Sequence, residues 1–166
     1  MICPVCQFGN FPGDDNCANC GADLWSADTP QQVTTFRGRL LGLHLDALGA
    51  PAPALIDAGA GVEDAIERMQ QEGIDCLLVT DRGALVGIFT DRDAILKVAG
   101  QPASGRTIGE VMTPDPVILR SGDPVAVAIH KMAVGGFRHV PIVQGGTPVG
   151  VVSARDVFRH LAAGVD

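Results

Sequence analysis

Apolar and polar positions between residues 51 and 161 run through one pattern and then through it again. Val62, Ala65, Ile66 and Met69 stand at i, i+3, i+4 and i+7. Val125, Ala128, Ile129 and Met132 repeat that spacing, which marks one apolar face on each of two helices. A short extended run after a Pro-x-Pro stretch precedes each helix, at 54–57 and 117–119. Two apolar runs joined by a glycine-containing turn follow it, 76–79 with 85–89 and 139–143 with 149–152, as in hairpins. A further helix closes each copy, over 91–98 and 154–161. The predicted order is β-α-β-β-α, twice, which makes this an α/β chain.

The copies are in register without a gap, residue n matching n+63 from Leu45/Ile108 to Val98/Leu161. Thirteen of the 43 positions from 51 to 93 are identical in the second copy, among them Gly73/Gly136, Gly87/Gly150, Arg92/Arg155 and Asp93/Asp156, so the unit is duplicated. Duplication predicts two similar halves about a pseudo-two-fold axis, with any pocket recurring at the seam. One unit of about 60 residues buries too little surface to be comfortably stable alone, so pairing is expected. The repeats are placed at 44–103 and 104–166. Ahead of them the polar, proline-containing stretch 26–32 reads as a linker, and the leucine-rich stretch 36–48 as a lead-in helix. Residues 26–43 are thus linker and lead-in, and 1–25 a separate module whose Trp25 is either its core or its dock onto the repeats.

With 46% hydrophobic residues in a chain of 166, a packed core is expected rather than disorder. No apolar run approaches the roughly 18 residues of a membrane helix, and the first residues lack the charged and apolar regions of a signal peptide. The expectation is a soluble, cytoplasmic chain with no membrane partner. Residues 1–30 carry no Lys or Arg and four Asp, a formal −4 of the total −7. Such a surface repels phosphate backbones, which weighs against nucleic acid.

Within that acidic module Cys3-Pro-Val-Cys6 and Cys17-Ala-Asn-Cys20 form two C-x-x-C knuckles separated by ten residues. Four thiolates suit tetrahedral zinc, and a reducing compartment favours metal over disulfides. All four coordination positions would be filled by protein, so the site is read as structural rather than catalytic. Iron, or redox use of the thiols, is the alternative. The segment resembles the short zinc-ribbon modules found at protein termini. Gly21 follows the second knuckle as that family expects, and Gln7 departs from its glycine after the first. Cys76, in an apolar run, reads as an inert buried thiol.

Each final strand runs into its helix through a polar signature, Gly87-Ile-Phe-Thr90-Asp-Arg-Asp93 and Gly150-Val-Val-Ser153-Ala-Arg-Asp156. Thr or Ser followed by an acid three residues later is close to a capping box and needs no ligand. The same geometry can also hold an anion or the two hydroxyls of a ribose at a helix start. This signature, the β-α-β-β-α order and the strand Phe137-Arg-His-Val-Pro-Ile-Val143 resemble the cystathionine-beta-synthase (CBS) domain in tandem, over roughly residues 44 to 163.

The resemblance implies clefts between paired repeats that bind adenosine compounds: AMP, ADP, ATP or S-adenosylmethionine. It implies ribose contacts from Thr90 with Asp93 and from Ser153 with Asp156, with Arg92 and Arg155 near the clefts and Arg138 with His139 facing a phosphate. Thr113, where repeat 1 has Ala50, joins the ligand-binding set. Repeat 1 has Asp75-Cys76 where repeat 2 has Arg138-His139, so the two clefts are expected to differ. The Asp93 cleft is expected to work with Arg138, His139 and Arg155 and to prefer phosphorylated ligands. The Asp156 cleft is expected to face Asp75, with Arg92 as its compensating charge. His44, His130 and His160 receive no role. The family's habit also implies a homodimer through the apolar faces of the repeat helices.

No nucleophile stands in a recognisable activating context, so no catalysis is expected. The reading is a regulatory, ligand-sensing protein with a structural Zn2+ ribbon for contact with a protein partner. Its rivals are an interaction adaptor with empty clefts and a nucleic-acid-binding ribbon protein.

Overall fold

The computed structural model describes residues 3, 5–6, 8–11, 14–22, 24 and 42–162. The linker expected over 26–32, Trp25 and the 36–41 part of the lead-in lie outside the described residues. The chain divides into two units, Met1–Gly42 and Leu43–Asp166. Within the first, Cys3, Cys17 and Leu24 are buried together with Cys6 and Ala22 packed against them. Backbone bonds from Cys17 N to Ala22 O and from Gly21 N to Cys17 O, both 2.8 Å, close the second knuckle, where Gly21 takes a left-handed φ of 71°.

The second unit opens with a 3-10 turn, Leu45–Leu48, in place of the expected end of a longer helix. Repeat 1 follows as β1 (Leu55–Asp57), α1 (Val62–Glu72), β2 (Cys76–Asp81), β3 (Ala84–Thr90) and α2 (Asp91–Asp93), which widens into a π-helical segment, Ala94–Val98. Then come α3 (Ile108–Val111) and β4 (Thr113–Pro114). Repeat 2 continues as α4 (Val125–Gly135), β5 (His139–Gln144), β6 (Thr147–Ser153) and α5 (Ala154–Ala162).

The first sheet has the order β1-β2-β3-β4, parallel between β1 and β2 and antiparallel elsewhere; β5 and β6 form the second. Arg82-Gly83 and Gly145-Gly146, all at positive φ, make the two-residue turns of the hairpins. Both hairpins shift register at the same place, between Val79 and Thr80 and between Ile142 and Val143, where Val86 and Val149 are extra residues.

The copies part at their first strand. In repeat 1, Leu78 N donates to Ala54 O at 2.9 Å. The matching residue in repeat 2 is Pro141, which has no N–H to give to Val117. The strand expected over 117–119 is reduced there to a single parallel bridge, Leu119 with Ile142.

The stretches leading into each repeat are exchanged. Leu45 N bonds Asp123 O and Val125 N bonds Leu43 O, so the lead-in of repeat 1 lies on repeat 2. Val62 N bonds Arg106 O and Ile108 N bonds Ala60 O, the reciprocal arrangement. The core of repeat 1 accordingly contains Ile108 and Val111 beside Val62, Ala65, Met69, Leu77, Val79 and Phe89. At the seam Cys76, Leu78 and Ile88 are buried with Val151 packed against them.

Candidate functional site

In the N-terminal unit the Sγ atoms of Cys3, Cys6, Cys17 and Cys20 all lie within 4.8 Å of one another. Cys3 to Cys20 is 3.7 Å and Cys6 to Cys17 is 3.6 Å. A tetrahedron with Zn–S bonds of about 2.3 Å has edges of about 3.8 Å, so the donor set fits such an ion; a disulfide at about 2 Å does not match. Asn10, buried, donates from Nδ2 to Cys17 Sγ at 3.6 Å and accepts Ala18 N at 2.9 Å through Oδ1. Burial raises the Cys17 thiol, but the amides of Cys20 and Asn19, the Asn10 side chain and Cys6 together bring it down to about 6.

In the second unit the β3–α2 junction forms one wall of a cleft of about 270 Å³. Thr90, Asp91, Arg92, Asp93 and Leu96 come from repeat 1, with Thr113 from β4. The other wall is Gly135 to His139, at the end of α4 and the start of β5. The capping box forms: Thr90 N and Oγ1 donate to Asp93 Oδ2 at 3.0 and 2.8 Å, and Asp93 N donates back to Thr90 Oγ1 at 3.3 Å. Asp93 Oδ1 accepts Thr113 Oγ1 at 2.9 Å and pairs with Lys97 Nζ at 2.7 Å. Burial would raise the Asp93 carboxyl, but bonds from Lys97, Thr90 and Thr113 outweigh it and hold it below the usual aspartate value.

The cross-repeat polar contacts depart from the expected arrangement. His139, whose side chain is 8% exposed, lines the cleft, but its Nε2 lies 3.1 Å from Asp75 Oδ1. It therefore meets a carboxylate instead of standing free for a phosphate. Arg92, expected on the Asp156 side, lines the Asp93 cleft and donates to Gly136 O at 3.1 Å. Arg138 lies 3.9 Å from Asp91 at the mouth of the same cleft. Arg155 is exposed on α5 and is not among the residues that line the Asp93 cleft. Cys76 is a buried thiol pushed up to about 12 by burial and then by the charges of Asp75, Asp93 and Asp91.

At the equivalent junction Ser153 caps α5: its Oγ accepts Asp156 N at 3.1 Å, and its N and Oγ donate to Asp156 Oδ2 at 2.9 and 2.6 Å. Asp156 Oδ1 has Arg159 Nη1 at 3.7 Å. Ala50 stands beside Gly150 as Thr113 stands beside Gly87, so the threonine hydroxyl is missing here. His160 occupies the position of Lys97.

A family model described as the CBS domain matches residues 49–100 and 108–163, which is each repeat in turn. The chain belongs to the CBS-domain family. Among curated proteins, this chain is similar to the meiotically up-regulated gene 70 protein of Schizosaccharomyces pombe, 29% identical over 146 residues that cover 85% of this chain and 20% of that protein. The CBS domain-containing protein YhcV of Bacillus subtilis is 32% identical over 108 residues, covering 63% of this chain and 75% of YhcV. The chain spans about a fifth of the length of the first curated relatives it matches. Among solved structures, the CBS domain pair of protein MJ0100, in complex with 5′-methylthioadenosine and S-adenosyl-L-methionine, superposes with a TM-score of 0.63 at 25% identity, covering 71% of this chain and 98% of that one. The α/β fold of two β-α-β-β-α repeats is thus that of a CBS pair.

Of the CBS-motif residues, Thr90, Asp93, Thr113, Arg92, Arg138 and His139 meet in one cleft, and Ser153 with Asp156 stand at the equivalent place in repeat 2. Lys97 was missed by the sequence reading, although its i+4 spacing from Asp93 on a helix was a usable signal. Asp91 and Phe137 of the cleft were missed as well. Among the described residues no helix is long and apolar enough to cross a membrane.

Proposed function

We propose that this chain is a regulatory CBS-pair protein that senses an adenosine nucleotide or adenosyl compound in the cleft built on Asp93, and that its four-thiolate module is a structural zinc ribbon used for contact with a protein partner. The observation that carries the reading is the cleft itself. It joins a capped helix start bearing Thr90 and Asp93 to two cations, Arg92 and Arg138, with walls from both repeats. A hydroxyl, a carboxylate and guanidinium groups at one seam suit a ribose bearing phosphates, while Ile88 and Phe137 give apolar surface for a base. A ligand held there touches both repeats, so its binding energy favours whichever mutual arrangement of the repeats fits it, which is the physical basis of sensing.

Cys3, Cys6, Cys17 and Cys20 would hold the zinc, which supplies cross-linking of the two knuckles. Asp93 and Thr90 orient the ligand; the exposed arginines neutralise its charge.

The discriminating experiment is a thermal-shift panel on zinc-loaded protein with AMP, ADP, ATP, S-adenosylmethionine and adenosine. A ligand at 100 times its Kd adds about 2.7 kcal/mol of stability and a clear rise in Tm. No shift with any of them removes the sensing reading. An interaction adaptor then stands in its place, and the mutual pairing of the cleft's polar groups favours that second reading.

A further inference from the structure

A carboxylate offers about four lone-pair sites. On Asp93 all four are taken from within the chain: Thr90 N and Thr90 Oγ1 on Oδ2, Thr113 Oγ1 and Lys97 Nζ on Oδ1. The two hydroxyls of a ribose therefore find no vacancy and bind only by displacing a donor. Thr90 is fixed by the capping box. Lys97 is the displaceable one: it sits on a flexible four-carbon stem, its side chain is 39% exposed, and it has further acceptors at 3.1 Å in Met112 O and Thr113 Oγ1.

We propose that Lys97 is an intramolecular competitor for the Asp93 carboxylate and makes this cleft select anionic over neutral ligands. The inference rests on the proposed adenosyl-binding role of the cleft. A neutral nucleoside that takes Oδ1 displaces the ammonium from its 2.7 Å pair with Asp93 and supplies no anion in exchange. A ligand with a phosphate brings an anion into the cleft that Asp93 lines, beside Arg92 and Arg138 and next to the Asp93–Lys97 pair. Repeat 2 supplies the internal comparison. Asp156 is 27% exposed against 10% for Asp93, meets Arg159 only at 3.7 Å, and has Ala50 and His160 in the places of Thr113 and Lys97. Its Oδ1 faces no such occupant, so discrimination by charge belongs to the first cleft.

The test is calorimetric titration of AMP and of adenosine into the full chain carrying Asp156→Ala, so that the Asp93 cleft alone is read. The same measurements are made with Lys97→Met, Lys97→Gln and Lys97→Arg added. Lys97→Gln keeps a donor for Met112 O and guards against a folding defect in the methionine variant. Both neutral variants are expected to bind adenosine about tenfold more tightly and to lower the AMP-to-adenosine preference by about tenfold, with Lys97→Arg retaining the preference. A preference unchanged in Lys97→Met and Lys97→Gln, or weaker adenosine binding in both, overturns the competitor role and leaves the sensing reading standing. Binding of neither compound by any of these proteins overturns the competitor role, and the sensing reading falls with it when ADP, ATP and S-adenosylmethionine also give no thermal shift.

Discussion

Asp93→Ala and Asp156→Ala remove the same atom group from the two copies of one motif, so the difference between them isolates what the sequence has added to the first. Both lose the N3 half of a capping box, worth up to about 1 kcal/mol, while the Thr90 and Ser153 hydroxyls remain as caps. Asp156→Ala loses little more, because its Arg159 pair is long and solvent-exposed, in a class worth about 0–1 kcal/mol. Asp93→Ala also strips acceptors from Thr113 Oγ1 and Lys97 Nζ. Bonds to a charged group contribute about 1.5–3 kcal/mol when buried; with Lys97 more than a third exposed, about 1 kcal/mol for each bond is the fair figure. The expected costs are about 3 kcal/mol for Asp93→Ala and about 1 kcal/mol for Asp156→Ala. Urea unfolding followed by far-UV circular dichroism at pH 7, ligand-free, reads the gap as a difference in midpoint at unchanged slope. The double variant Lys97→Met/Asp93→Ala should cost less than the two single losses added together. Equal losses from the two aspartates, or strict additivity with Lys97→Met, would refute the claim that Asp93 is held by more than its cap.

Further outcomes are expected elsewhere in the chain. A Cys17→Ser/Cys20→Ser variant should fall from one zinc per chain to none by elemental analysis while the CBS pair keeps its melting temperature; retained metal would contradict the ribbon. The native Asp93 pKa is depressed, so its contribution is present above the unfolded value of about 3.9 and is lost as pH falls through the lower native value. Asp93→Asn should therefore flatten the acid limb of the stability profile below about pH 5, and an acid limb parallel to that of the unaltered chain would count against it. Phe158 is 71% exposed on α5 beside an apolar groove with Met132, Val157 and Leu161. Sedimentation at micromolar protein should show a dimer that Phe158→Asp dissociates, and a clean monomer with and without ligand would dispose of that interface.

The repeat pattern carried the fold because helix and strand periods are local properties of the chain, and register at n+63 turned every element seen in one copy into an expectation for the other. The shortened strand at Leu119 escaped that logic, since the cause is a single missing N–H at Pro141, a partner on another strand. The end of the lead-in escaped it too: leucine spacing over 36–48 suggests a helix running to Leu48, but Leu43, Leu45 and Asp46 form backbone bonds with the loop before α4 and the helix's first residue. At the site, the capping boxes could be read from a three-residue spacing. Which arginine serves which cleft depends on how the halves meet, and pattern does not encode that; Arg92 stays with its own motif, reaching Gly136 across the seam. His139 and Asp75, 64 residues apart, meet at 3.1 Å across the seam between the repeats, a contact no local spacing encodes.

The exchanged lead-ins alter what counts as half of this protein. A chain cut near residue 103 would take Ile108 and Val111 out of the first repeat's core and leave Leu45 without the loop it bonds. Each severed buried side chain forgoes about 1.5–3 kcal/mol. An isolated repeat could recover those contacts only from a second copy, at a cost that depends on concentration. Carrying both copies on one strand makes the trade internal, with an effective concentration set by the tether rather than by expression level. The obligation to be identical then lapses, because each half need only fit its fixed companion, and the positions now occupied by Lys97 and His160, or Thr113 and Ala50, show where this chain has used that latitude.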